Sequence, residues 1–226
     1  MGFFVTLCGN KHIGEQKMKQ TITSESVNIG HPDKTCDVIA DAFLDEALKS
    51  DPNSQMAVEC AIKNDKLFIY GEATTKAKID YETIAKQVLK DIGYTNEFTM
   101  IKEISEQSPD IHQAVVKEEL MANDQGMCYG YATNETKEYM PLPILLAHKL
   151  MQKYEAFRRT RTDFFADAKS QVSVEYEDNK PIKIVTILLS VSHDKNLEIK
   201  NLRKLIKENV IEPVSYTHLR AHETSA

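Results

Sequence analysis

His31, Asp33 and Lys34 stand together behind Gly30, where a polar stretch, TSESVNIGHPDK, gives way to a helical pattern. Pro32 suits a first helical position and Asp33 a first turn. A helix beginning there presents free backbone N–H groups and a partial positive charge, which suits phosphate. His31 adds a donor, Lys34 a cation, and Asp33 a hard oxygen of the kind Mg²⁺ takes. These are the parts of a nucleotide triphosphate site. The same residues also read as an ordinary capped helix with a polar entrance, because short motifs match by chance.

Other polar residues admit two readings each. Glu59 and Glu72 sit in apolar strand patterns, where a carboxylate either faces water or is recruited to bind something. Asp167, Ala168 and Lys169 precede a strand at 170–176 and read as a polar strand entrance. His148 lies on a helix and reads as a satisfied structural histidine. The basic run RRTRTD at 158–163 reads as a solvated connection. The segment 107–126 is long and irregular, with a turn or two of helix at most, and such segments in compact domains are functional or disordered. Residues 124–137, rich in Gly, Asn and Thr, read as a loop, or as a plain turn.

The elements that must hold these residues follow from periodicity. Cys36, Ile39, Ala40, Phe43, Ala47 and Leu48 recur at helical spacing. Strands are expected at 55–63 and 66–73, joined by the turn Asn64-Asp65. A helix over 80–92 stops at Gly93, and a short strand covers 98–104. A second set repeats the plan: a helix at 142–158, a hairpin over 170–192 turning at Asp178-Asn179, and a helix at 197–211. Two such units, each an antiparallel sheet with helices on one face, predict an α+β fold built by duplication.

Bulk properties narrow the function. The 226 residues carry a net charge of −6, which argues against a general nucleic-acid binder. Apolar content of 42% and charged content of 27% are those of a soluble protein with a sizeable core. The four cysteines, Cys8, Cys36, Cys60 and Cys128, form no C-x-x-C pair and read as reduced thiols in the cytoplasm. No apolar run approaches the ~20 residues of a membrane span. Residues 1–17 read as a disordered extension, since Met18 opens a second plausible start and no basic region marks a signal peptide.

TSESVNIGHPDKTCDVIADAFLDEAL resembles the N-terminal signature of the S-adenosylmethionine synthetase (methionine adenosyltransferase) family. Three later blocks resemble the same family in the same order: GEATT at 71–75, DQGMCYGYATNETKEYMPLPILLAHKL at 124–150, and DAKSQV at 167–172. QSPDI at 107–111 also fits. The resemblance runs over residues 20–214 and implies three intertwined domains. Two are expected here: an N-terminal domain at 18–123, with a mobile gating loop at 107–123, and a central domain at 124–214. The tail SYTHLRAHETSA, 215–226, does not resemble the family and reads as foreign sequence. The third domain is expected to be absent, with its Gly-rich loop and part of the ATP site.

The resemblance also implies the chemistry. ATP and L-methionine would give S-adenosylmethionine, with release of phosphate and diphosphate. His31, Lys169 and Asp124 would be catalytic, and His31, Asp167, Ala168 and Lys169 would contact ATP. Glu72 and Gln107 would hold methionine, Asp33 would bind Mg²⁺, and Glu59 would bind K⁺. The family works as a homodimer or dimer of dimers with active sites between subunits. A fragment of this kind is expected to be inactive alone. Two other readings stay open: a non-catalytic partner of a full-length synthetase, and a sequencing product without a role.

Overall fold

The computed structural model describes residues 18–106 and 126–215. Its strands fall into two sheets of three, each backed by helices. Helix α1, Pro32–Ser50, buries Ile39, Phe43 and Ala47 on one stripe. It packs with α2, Tyr81–Ile92, over a sheet of β2, Gln55–Lys63, β3, Lys66–Thr74, and β4, Thr99–Ser105. Val58, Leu67, Ile69, Ala85 and Leu89 complete that core. Asp80 caps α2 by accepting from the Thr83 amide, and Gly93 closes it in the left-handed region at φ 111°.

The second core surrounds α3, Leu142–Arg158, whose Leu146, Leu150 and Tyr154 are fully buried. They pack on β5, Phe164–Glu177, which lies between β1, Lys19–Val27, and β6, Lys180–His193. Val172, Val174 and Ile184 face α3 from the sheet. The chain then runs through α4, Ile199–Ile206, a π-helical turn at Lys207–Ile211, and α5, Glu212–Ser215. Both hairpin turns form where the Asx residues allow positive φ, at Asn64 (56°) and at Asp178 and Asn179 (50° and 62°).

The architecture is α+β, as expected, with four differences in detail. Residues 19–27 form strand β1, although the stretch from Thr23 onward reads as polar and irregular. Its mostly exposed residues give no apolar alternation, and its pairing is with β5, from Lys19↔Glu177 to Val27↔Lys169. The second sheet therefore borrows a strand from the chain's beginning, so the two units are not contiguous repeats. Strand β4 runs parallel to β3, which makes the first sheet mixed. Strand β5 begins at Phe164, so Asp167, Ala168 and Lys169 lie within it rather than before it.

Candidate active site

The loop from Asn28 to His31 carries β1 onward along the same edge of β5. The Asn28 amide donates to the Ala168 carbonyl at 2.8 Å, and the Gly30 amide to the Ala166 carbonyl at 3.2 Å. Gly30 is needed for this approach, because a β-carbon would collide with the side chain and backbone of Ala166. The His31 amide turns back to the Asn28 carbonyl at 3.0 Å, and Pro32 starts α1. Thr35, fully buried, donates its hydroxyl to the Ile29 carbonyl at 3.0 Å.

This turn faces a cleft of about 300 Å³ lined by His31, Asp167, Ala168, Lys169, Ser190, Val191 and Ser192. Four residues singled out from sequence therefore share one cavity, although more than a hundred positions separate His31 from the rest. The β5–β6 register slips between Phe164↔His193 and Ala168↔Val191, so β5 carries extra residues there. Such a bulge re-aims side chains beside active sites. Here it falls on the stretch that brings Asp167 into the cleft.

His31 is the N-cap residue of α1, yet its side chain makes no capping hydrogen bond. Its ring is largely enclosed, and Nδ1 is buried without a hydrogen-bond partner. The nearest anion is Asp33 Oδ2 at 3.9 Å, an ion-pair separation too long for a hydrogen bond. A buried polar atom left unpaired is costly, which marks His31 as a candidate for a ligand contact. Partial burial of Asp167 at the cleft mouth pushes its carboxyl up from the ordinary value, while the nearby His31 draws it down.

Lys169 Nζ lies 2.8 Å from Glu25 Oε2, with both side chains substantially exposed. Such a pair contributes little and exchanges readily for a better anion. Lys34 is differently used: its ammonium donates to the Val27 carbonyl at 2.7 Å, so it fastens the turn. Asp33 is 90% exposed, a single hard oxygen donor free to meet a cation. That suits Mg²⁺, which keeps several waters and takes its remaining ligands from phosphate. Among the described residues, no cluster of three or more His, Cys, Asp or Glu gathers around one point.

The remaining candidates lie elsewhere. Glu72 is on β3, opposite Ala57 and Ser105, and Glu59 is on β2, opposite Tyr70. Both belong to the first sheet, on the face away from α1 and α2, and neither lines the cleft. Glu59 is exposed and offers one carboxylate, which by itself does not define a K⁺ site. Gln107 and Asp124 lie outside the described residues, as does the expected gating loop. His148 is structural in its contacts: its Nδ1 shares a 2.8 Å hydrogen bond with the Ser26 hydroxyl.

Ser190 and Ser192 were not singled out from the sequence. Only the pairing Lys169↔Ser190 puts the end of β6 beside the Asp167–Lys169 segment. No local signal in LLSVSH announces that neighbour.

The chain is similar to known proteins along most of its length. The model of the S-adenosylmethionine synthetase N-terminal domain matches residues 19–120, and that of the central domain matches residues 119–226. An S-adenosylmethionine synthase of Mycoplasmopsis pulmonis is 43% identical over 201 residues, covering 87% of this chain and 54% of the relative. One from Sulfurovum is 42% identical over 208 residues with the same coverage. One from Pseudothermotoga lettingae is 41% identical over 221 residues, covering 87% of this chain and 56% of the relative. The chain thus spans about half the length of the curated relatives it matches. Among the described residues, no helix is long and apolar enough to cross a membrane.

Proposed function

Because the chain belongs to the S-adenosylmethionine synthetase family, a family of transferases, we propose that its cleft is the triphosphate side of a methionine adenosyltransferase site. The reaction is attack of the methionine thioether on C5′ of ATP. The S–C5′ bond forms as the C5′–O5′ bond breaks, and the electron pair leaves with the triphosphate. The thioether carries no proton, so no general base is required. Rate must come from alignment and from stabilising the departing polyanion.

The buried, unpartnered Nδ1 of His31 carries this reading. Placed at the N-terminus of α1 and beside Lys169, the imidazole donates to the leaving oxygen chain. Lys169 exchanges Glu25 for phosphate. Asp167 lines the same cleft, two residues before Lys169 on β5, and is a candidate contact to ATP. Asp33 is the residue that would hold Mg²⁺, which supplies charge neutralisation for the triphosphate when bound. Glu59 as a K⁺ ligand is supported by the resemblance alone, and no step depends on it.

The methionine side follows the same resemblance. Glu72 and Gln107 hold the amino acid, and Asp124 lies near the developing sulfonium, where a carboxylate lowers the energy of positive charge. Glu72 stands on the other sheet from the cleft. That separation fits a homodimer, or dimer of dimers, in which one subunit supplies the nucleotide cleft and its twin supplies Glu72. The proposed setting is the cytoplasm.

Two measurements test the reading. The 226-residue chain is expected to bind MgATP, and His31→Ala is expected to weaken that binding by about tenfold. No binding by the unsubstituted chain overturns the assignment of the cleft. The same 226 residues alone are expected to form no S-adenosylmethionine from ATP and methionine. Turnover comparable to that of a full-length relative overturns that second expectation.

A further inference from the structure

Apart from the residues that line the cleft, a polar cluster joins the two cores, buried at Asn28 and Arg158 and half-buried at Glu155. The Asn28 side-chain amide donates to Glu155 Oε2 at 2.7 Å and to the Ala166 carbonyl at 2.9 Å. Glu155 is in turn gripped by Arg158, through Nε and Nη2 at 2.6 Å each, and by Arg159 Nε at 2.7 Å. Arg158, itself buried, passes its Nη2 to the Ile92 carbonyl at 2.7 Å, at the end of α2. From that same end, Tyr94 donates its hydroxyl to the Gly30 carbonyl at 2.7 Å, with its ring edge-on to Phe98.

These contacts converge on two short stretches of backbone. One is Asn28–Gly30, which ends at His31. The other is Ala166–Ala168, whose alternation turns Ala166 and Ala168 inward and Asp167 outward to the cleft. These polar groups thus hold the backbones that carry His31, Asp167 and Lys169. None of Asn28, Glu155 or Tyr94 lines the cleft. Their partners are fixed charges and backbone carbonyls, and such buried networks rigidify when fully satisfied.

We propose that Asn28, Glu155 and Tyr94 are positioning residues, a clamp that sets the His31 turn against the Asp167–Lys169 segment. It rests on reading the cleft as the nucleotide site. Asn28 fixes the turn to β5, Glu155 fixes Asn28 to α3, and Tyr94 fixes the Gly30 carbonyl to the end of α2. Loosening any of the three leaves each cleft side chain present but lets the two walls drift, and ligand contacts fail at displacements of about 1 Å.

The test combines calorimetric titration of the 226-residue chain with MgATP and NMR-detected hydrogen exchange at the Gly30 and His31 amides. Asn28→Ala is expected to weaken MgATP by about tenfold and Tyr94→Phe by about threefold. Both are expected to speed exchange at Gly30 and His31 by about tenfold, leaving Val172 on the same sheet unchanged. Val174→Ala is the control for general loosening. It removes methyl groups from the core beneath that sheet and is expected to lower the unfolding temperature at least as much, while MgATP affinity stays within about twofold. Should Asn28→Ala not fold, Tyr94→Phe, which keeps its ring against Phe98, carries the test. Unchanged exchange at Gly30 and His31 overturns the clamp, as does an equal loss of MgATP affinity in Val174→Ala. If the unsubstituted chain takes up no MgATP, the nucleotide reading falls, and the exchange rates still decide the clamp.

Discussion

At the scale of single residues, the cleft depends on what is missing as much as on what is present. Gly30 has no β-carbon, and this lets the turn before His31 lie directly on Ala166. Gly30→Ala would have to push the turn off β5 or strain both backbones. Overpacking of that kind costs about 1–3 kcal/mol. Urea unfolding of the variant should show that loss, together with weaker MgATP binding because His31 moves with the turn. Normal stability with normal binding would mean that the turn has slack the geometry does not show. His31 is the complementary case: its buried Nδ1 has no hydrogen-bond partner among the described residues, which is why the proposed site is built on it.

At the scale of elements, the joint between α3, the end of α2 and the turn after β1 is electrostatic. Burial opposes ionisation of Glu155. Hydrogen bonds from Arg158 and Asn28, the Arg158 charge and a bond from Arg159 outweigh it and hold the carboxyl below its ordinary value of 4.5. Asp167 and Tyr154 are the other titratable groups acting in this neighbourhood. A depressed folded-state value means that the stabilisation is complete above the ordinary carboxylate range. It is lost as pH falls through the folded value. Glu155→Gln should therefore be about 1–3 kcal/mol less stable than the unsubstituted chain at pH 7. The difference should shrink as the pH falls through the folded-state value of Glu155, which lies below the ordinary 4.5. Thermal unfolding midpoints of both chains between pH 7 and pH 3 check the sign. A difference that grows on acidification would contradict it.

At the scale of the whole molecule, each sheet has one face on helices, and no described helix packs on the other. On the first sheet the open face carries Tyr70 and Ile101, 46% and 45% exposed, flanked by Phe68 and Glu72. Large apolar side chains grouped on an uncovered sheet mark an association surface. A twin subunit is the proposed cover, since it would also bring Glu72 to a neighbour's cleft. Light scattering over a concentration series should show self-association, and Tyr70→Asp with Ile101→Asp should shift the chain toward monomer. A monomer at every concentration would count against this pairing.

The amino-acid order alone determined the local plan. Helical spacing placed α1, α2 and α3, Asx turns placed both hairpins, and the run GHPDK marked the start of α1 as a candidate phosphate site, because each depends on residues adjacent in the chain. Tertiary structure decided what lay beyond that range. Strand β1 was invisible because its residues are polar and exposed, and only its long-range ladder to β5 makes it a strand. For the same reason Ser190 and Ser192 became cleft residues only when β6 fell into register beside Lys169. Strand pairing is a choice among distant partners, made by backbone hydrogen bonds that every residue offers alike. Side-chain pattern therefore announces a strand only where one face is buried, which is why the β5–β6 hairpin was legible and β1 was not.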